Sequence, residues 1–311
     1  MPAVAHEDKA AAEIAGLGLK AEIWGFARCT RSGTDACIDA NLDSVVCEIA
    51  TSDLKLKAYQ LTKDAVLDKM VDTVSCAKAH GLKVAFFDVD MTRTGLDFLK
   101  QVYLAAVNDA HADEVVSVDT LGVATPESFH YLTEKVRERV HVPLQCHCHN
   151  EFGLATATSI AAVKGGAEWV HVAVNGIGEK SGNTDLAEVA IALHLLYDID
   201  VGLRYEKLTS ISKLVQRLSG IEMPINRPIV GKGVFRRESG VTVQQLIAYP
   251  PAVEPYPPEF VGATREIVLG KKSGKHSIKW KLNELGINLS DQQVETLWKR
   301  SSRGLYRRRS R

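Results

Sequence analysis

Six short apolar, largely β-branched runs recur through the first two-thirds of the chain, separated by stretches with helical patterning. They cover residues 21–26, 44–50, 83–87, 114–118, 142–148 and 168–174. A strand that is apolar along its whole length is buried on both faces. That is the condition of a parallel sheet covered by crossover helices. The intervals support this. Residues 63–80 place Val66, Met70, Val74 and Ala77 at helical spacing and stop at Gly81. Thr125 and Pro126 supply an N-cap and a first-turn proline for a helix to about Arg139. The runs start 23 to 39 residues apart, around the roughly 31 residues per unit of a (β/α)8 barrel. A doubly wound sheet is the alternative, but no glycine-rich phosphate fingerprint follows the first run. Six units end near Tyr197, two short of closure. The expected fold is therefore α/β, of the (β/α)8 TIM-barrel type but incomplete, with a small C-terminal α+β extension.

The pattern changes after Asp200. Residues 205–218 read as an amphipathic helix, followed by a Pro/Gly-rich linker over 220–240. Five prolines within 246–262 argue against regular structure there. Short helices are expected over 278–285 and from a cap at Ser290 to Trp298. The expected organisation is a barrel domain over 1–200, a helical linker over 201–245, a small subdomain over 246–298 and a basic tail over 299–311.

Charge matters mainly because of that tail. The chain balances 38 Lys and Arg against 38 Asp and Glu. Residues 299–311 hold seven of the basic groups and no acid, so the remainder carries a net charge of about −7. A mildly acidic body is not a nucleic-acid binder by bulk charge. No apolar run reaches the roughly 18 residues that span a bilayer. The first residues lack a secretory pattern, and six scattered cysteines form no C-x-x-C. These features read as a cytoplasmic protein with reduced thiols. The tail reads as a basic arm, a solvated disordered end or out-of-frame translation after Arg300; the last two are preferred.

The sharpest chemical feature is the succession Cys146, His147, Cys148, His149, Asn150 at the end of the fifth run. Alternation along a strand turns His147 and His149 to one face, where two imidazoles can take adjacent positions on one metal ion. Cys146 and Cys148 turn toward the helices. Two polar residues at a strand end are the plainer alternative. Directly after the sixth run comes Asn175-Gly-Ile-Gly-Glu-Lys-Ser-Gly-Asn183. Its glycines permit close backbone approach, and Glu179 and Asn183 offer oxygen donors. Taken alone, it reads equally as a βα turn with a helix cap.

Together, H-C-H-N-x-F-G-L-A and V-N-G-I-G-E-K-S-G-N resemble the α-isopropylmalate synthase and homocitrate synthase family. These are metal-dependent barrels of the wider HMG-CoA-lyase-like group. Collinear matches extend over about residues 2–298. They include A-T-S-D (50–53), T-R-T (92–94), D-T-L-G-V-A-T-P (119–126), R-P-I-V-G (227–231) and V-L-G-K-K-S-G-K-H (268–276). The resemblance implies a Claisen condensation of acetyl-CoA with a 2-oxo acid, followed by thioester hydrolysis. It implies a divalent metal (Mn, Mg or Zn) on His147 and His149 with Asn183 in or beside the shell. It also implies Thr120 and Glu179 as candidate catalytic groups, and Thr120, Asp90, Arg93 and Asn175 as contacts to the 2-oxo acid. A cytoplasmic homodimer in amino-acid or organic-acid biosynthesis follows by the same route. A carbon–carbon lyase or aldolase of the same barrel group, or a catalytically impaired fragment, are the other readings.

The departures are specific. The family's first-strand T-L-R-[DE]-G, with its metal-binding acid and substrate-binding arginine, has no counterpart here, unless Asp88 or Asp90 substitutes. Residues 1–3 align with the loop after the family's second strand. A histidine usual near A-T-S-D is Val46, and a glutamate usual before T-R-T is Val89. In the linker, two imidazoles of the family become Arg237 and Thr242. The second is the family's candidate acetyl-CoA base, a role threonine cannot take at neutral pH; Tyr249 and Tyr256 are the nearby alternatives. The expectation is a poorly soluble chain, or one that needs a partner, with little activity alone.

Overall fold

The computed structural model describes residues 7–307. The chain divides into two compact units, with the boundary between Val189 and Ala190.

The first unit opens with helix α1 (Glu7–Ala15) and then alternates strands and helices. These are β1 (Trp24–Arg28), α2 (Arg31–Asp39), β2 (Ser44–Ala50), α3 (Asp53–Tyr59), α4 (Lys63–Ala79), β3 (Lys83–Val89) and α5 (Leu96–Leu104). After a π-helical turn at Ala105–Asp109 come β4 (Glu114–Asp119), α6 (Pro126–Arg137), β5 (Leu144–Cys148), α7 (Ala155–Lys164) and β6 (Trp169–Val170), and the boundary falls within α8 (Leu186–Tyr197). The six strands form one parallel sheet in chain order. Sequential order is the winding of a barrel wall; a doubly wound sheet reverses direction at a switch point. Among the described residues β1 and β6 each pair on one side, so six units are present, as the spacing predicts.

Local chemistry starts and stops the helices. Thr30, Ser52, Thr62 and Thr125 accept from the backbone N–H groups of Gly33, Lys55, Ala65 and Ser128, capping α2, α3, α4 and α6. Pro126 sits in the first turn of α6. Gly81 follows α4 with a φ of 83°.

Alternation sorts the strand side chains into two layers. Val45, Cys47, Val84, Phe86, Val115, Leu144, Cys146 and Cys148 face the helices and form the main core. Burying each Val, Leu or Phe contributes about 1.5–3 kcal/mol. Val46, Ala85, Phe87, Val116 and Val118 form a smaller inner cluster with Trp24 and Val89. The positions where Val46 and Val89 replace polar groups of the family therefore lie in apolar surroundings.

The sixth strand departs from expectation. The apolar run covers 168–174, but the ladder to β5 holds only Trp169 and Val170. His171 still donates its N–H to the Cys146 carbonyl (2.8 Å). The Ala173 N–H then goes to the Thr184 carbonyl, and Ala173 bridges Asp185. The backbone leaves the sheet because the following loop supplies its hydrogen bonds.

The second unit holds a 3-10 turn at Tyr205–Lys207, α9 (Leu208–Ser219), β7 (Arg236–Arg237), α10 (Gly240–Ala248), β8 (Glu266–Ile267), α11 (Lys275–Glu284) and α12 (Asp291–Arg307). Strands β7 and β8 pair in parallel. Its core is Val243, Leu246 and Ile267, packed by Val253 and Trp280. The proline-rich stretch is less irregular than expected. Helix α10 reaches Ala248, and 3-10 turns follow at Pro250–Ala252 and Pro258–Val261. The starts of α10 and α11 touch through Gly240 and Gly274; a Cβ on Gly240 would lie 2.7 Å from the Gly274 Cα. That contact allows α11 to begin at Lys275, earlier than predicted. The last helix also outruns its expected end at Trp298 and continues to Arg307. Ser290 and Gln293 cap it reciprocally, the Ser290 N–H donating to Gln293 Oε1 (2.8 Å) and the Gln293 N–H to Ser290 Oγ (3.4 Å). Residues 308–311 of the basic tail lie outside the described residues.

Candidate metal centre and active site

The side chains of β5 alternate as the H-x-H spacing predicts. Cys146 and Cys148 are fully buried on the helix side. Burial pushes the Cys146 thiol up to about 12 and the Cys148 thiol well above its usual value, so neither is poised as a thiolate ligand. His147 turns to the inner face, with its ring against Phe87 (5.2 Å between centroids). Its Nε2 lies 3.4 Å from Nε2 of His149. An isolated antiparallel bridge pairs His149 with Asn183, and the Asn183 N–H donates to the Gly176 carbonyl (3.1 Å). Asn183 Oδ1 is buried and has no hydrogen-bond partner among the described residues.

Two glycines make this loop possible. A Cβ on Gly178 would lie 2.5 Å from Asn183 Nδ2. Gly182 has a φ of 88°, and a Cβ there would lie 2.1 Å from the Gly176 carbonyl oxygen.

This donor set fits a divalent cation. With metal–nitrogen bonds of about 2.1 Å, neighbouring imidazole nitrogens lie roughly 3.0–3.4 Å apart. Burial first, then His171, His149 and Lys180, bring His147 down to about 3. Burial and then Lys180 lower His149. Both rings are therefore neutral, as ligation requires. The orphaned amide oxygen of Asn183 adds a hard donor. One feature competes. Lys180 Nζ lies 3.0 Å from His149 Nδ1, and an ammonium can only donate. The ring proton of His149 is thereby placed on Nε2, pointing at His147. A cation entering between the two rings must displace that proton. Among the described residues, no group of three or more His, Cys, Asp or Glu is arranged to hold a metal ion. The site offers two imidazoles and a carboxamide.

Three of the residues expected to meet the substrate, Asp90, Arg93 and Thr120, collect at the C-terminal ends of β3 and β4. The Asp90 N–H donates to Thr120 Oγ1 (2.7 Å). The fully buried Asp90 carboxylate is engaged by Ser52 and by Arg93, whose Nη2 lies 2.6 Å away. Asp90 therefore aims Arg93 and does not present its own charge. Next to Thr120, Asp119 accepts from the N–H groups of Val123 and Ala124 and from Thr92, and its carbonyl accepts from the His149 N–H. These bonds tie the ends of β3, β4 and β5 together. Asn175 is buried with a φ of 65°. Glu179 is exposed, within electrostatic reach of His149 and Glu48.

Asp88, the other acid considered for the metal, does not face His147. It follows Phe87 on the opposite face of β3 and is bonded by Thr51. Burial pushes its carboxyl up to about 8. In the second unit, the Arg237 guanidinium donates to the carbonyls of Val234, Arg236 and Val253, a structural use of the charge. Burial raises the Tyr256 phenol, which works against a phenolate base.

Gln145, Glu151, His171 and Lys180 also border the site, without a role implied by the motifs. Gln145 and His171 carry an inner-face signal, since Gln145 is two residues before His147. Glu151 and Lys180 follow directly on the motif residues Asn150 and Glu179, and their side chains lie 3.7 Å apart.

A parallel sheet wound in chain order, with two imidazoles meeting at the end of its fifth strand, defines a protein of the (β/α)-barrel class. The HMGL-like family model matches residues 1–215, and the chain belongs to that family. A second model, the homocitrate synthase post-HMGL domain-like family, matches residues 229–304. The chain is 46% identical over 295 residues to a probable 2-isopropylmalate synthase of Methanopyrus kandleri, covering 94% of this chain and 59% of that protein. It is 41% identical over 311 residues to a homocitrate synthase of Methanothermobacter thermautotrophicus, covering 98% and 79%. The chain thus spans about three-fifths of the first relative and four-fifths of the second. Among solved structures it resembles the HMG-CoA lyase of Bacillus subtilis, with a TM-score of 0.62 and 17% identity, covering 72% of this chain and 79% of that one. That likeness concerns the fold alone.

Proposed function

We propose that the chain serves an acyltransferase reaction in which acetyl-CoA condenses with a 2-oxo acid, as in homocitrate and 2-isopropylmalate synthases. The observation that carries this is the convergence of His147 Nε2 and His149 Nε2 at 3.4 Å beside the buried, unpartnered Asn183 Oδ1. These three residues would hold a divalent cation, for which Mn, Mg and Zn are the candidates. When bound, such a cation polarises the keto group of the 2-oxo acid and offsets the charge that develops on its oxygen.

The other groups position the substrate. Thr120 Oγ1 already accepts from the Asp90 N–H, which leaves its hydroxyl proton to donate to a substrate oxygen. Arg93, aimed by Asp90, offers a fork for a carboxylate. Asn175 shapes the loop beside the metal residues, and Glu179 sits in that loop near His149. Removal of the acetyl methyl proton requires a base, and Thr242 does not supply it. Within this reading residues 1–200 hold the chemistry and 201–298 the synthase extension, and the enzyme is a cytoplasmic homodimer. A carbon–carbon lyase is the second reading, favoured by the lyase-like fold. The match of residues 229–304 to a homocitrate synthase domain weighs against it.

The test measures Mn²⁺ binding by the paramagnetic resonance of the free ion, and CoA release from acetyl-CoA with 2-oxo acids of increasing length. Binding is expected in the parent chain and lost in His147→Ala and His149→Ala. Unchanged binding in both variants removes the metal assignment. CoA release that ignores the 2-oxo acid removes the condensation.

A further inference from the structure

We infer that His171 is a positioning residue: it holds the proton of His147 on Nδ1 and so keeps His147 Nε2 bare for a metal ion. This rests on the metal reading above and deepens it. His171 belongs to neither motif, and it lies one residue past β6, where its ring meets that of His147 at 5.4 Å between centroids.

Hydrogen-bond polarity propagates to His147 from a charged end. Lys83 Nζ lies 2.7 Å from Glu114 Oε1, and both project from the first residues of their strands. Glu114 is 3% exposed and, paired with an ammonium, stands as a carboxylate that can only accept. Its other oxygen accepts from Gln145 Nε2. That bond fixes the amide orientation and turns Gln145 Oε1 toward His171. The carbonyl oxygen accepts, so His171 Nε2, 2.5 Å away, carries the proton. In a neutral ring the other nitrogen is then an acceptor. His171 Nδ1 lies 3.3 Å from His147 Nδ1, so His147 must donate there. Its single remaining proton is thereby placed on Nδ1, and the lone pair of Nε2 points at His149. Each step leaves one choice, and the chain of choices begins at a salt bridge between the first residues of β3 and β4. A ligating imidazole whose second nitrogen donates to a fixed acceptor is oriented and made more basic, and loss of such a partner costs 10- to 100-fold in metal affinity.

The test uses the full chain free of metal, and then with Mn²⁺ or Zn²⁺ alone. Long-range proton–nitrogen NMR of ¹⁵N-histidine protein should show His147 protonated at Nδ1. In His171→Phe, which keeps a ring beside Phe87 but removes the acceptor, that single tautomer should be lost. Mn²⁺ affinity should fall by about 10- to 100-fold. His171→Asn, whose amide oxygen can stand near the place of Nδ1, should restore both readouts. If His171→Phe fails to fold, Gln145→Met removes the acceptor one step earlier and should scramble the tautomer in the same way. An unchanged His147 tautomer in these variants overturns the inference. So does a loss of Mn²⁺ affinity that His171→Asn does not restore. Absence of Mn²⁺ and Zn²⁺ binding in the parent chain overturns the metal reading instead, and the tautomer measurement still decides the role of His171.

Discussion

Replacing Asp88 by Asn should abolish a large pH dependence of stability. Asp88 is 0% exposed, Thr51 donates to its Oδ1, and Oδ2 has no hydrogen-bond partner among the described residues. Burial is the main cause that pushes its carboxyl up to about 8, with nearby Asp90 adding and Thr51 opposing. In the unfolded chain it returns to an ordinary value near 3.8. Between those values the folded chain keeps a proton that the unfolded chain has released. Stability is therefore fully present below about pH 4 and is lost as pH rises toward 8, at up to about 1.4 kcal/mol per pH unit. Over that window the loss integrates to roughly 4–6 kcal/mol, an order-of-magnitude figure. Asn has nearly the same shape and does not ionise. Urea unfolding followed by circular dichroism at pH 5, 6, 7 and 8 would give both free energies. Near pH 5 the Asn variant should lead by roughly 1–2 kcal/mol, and at pH 8 by several kcal/mol. Parallel pH profiles would refute the reasoning, because they would mean that Asp88 ionises in the folded chain as easily as in water.

Gly182→Ala should destabilise the first unit by about 3 kcal/mol or more, because it adds a left-handed φ penalty to a Cβ 2.1 Å from a carbonyl oxygen; a loss below 1 kcal/mol in urea unfolding would contradict the loop geometry. Lys180→Met should tighten Mn²⁺ binding about five- to hundredfold, since it removes a cation beside the site and frees His149 Nδ1 to carry the ring proton. Weaker binding in a titration would show that Lys180 supports the site. Thr62→Ala should cost about 1 kcal/mol through loss of the cap on the Ala65 N–H, with Mn²⁺ affinity unchanged.

Much of this protein was legible along the chain. Strand β2 lies where its apolar run predicts, α4 starts where its helical spacing begins, and α6 starts at its capping Thr125, because caps and periodicity are local properties. The opposite facing of His147 and Cys146 follows from the pleat and needs no tertiary information. The short β6, the early start of α11 and the continuation of α12 were not legible. Each depends on partners distant in sequence, or on the absence of a stop signal strong enough to end a helix.

The sequence by itself determined the parallel strand order, the inward pair of histidines and the family, because alternation, capping and collinear motifs are encoded residue by residue. Tertiary structure alone decided which face of β3 carries Asp88, how Asp90 aims Arg93, and that Lys83, Glu114, Gln145 and His171 form one polarised row ending at His147. The physical reason is that a proton's position on an imidazole is set by what lies opposite each nitrogen. In this chain those neighbours come from three strands and the residue after a fourth, and only folding brings them within hydrogen-bond distance.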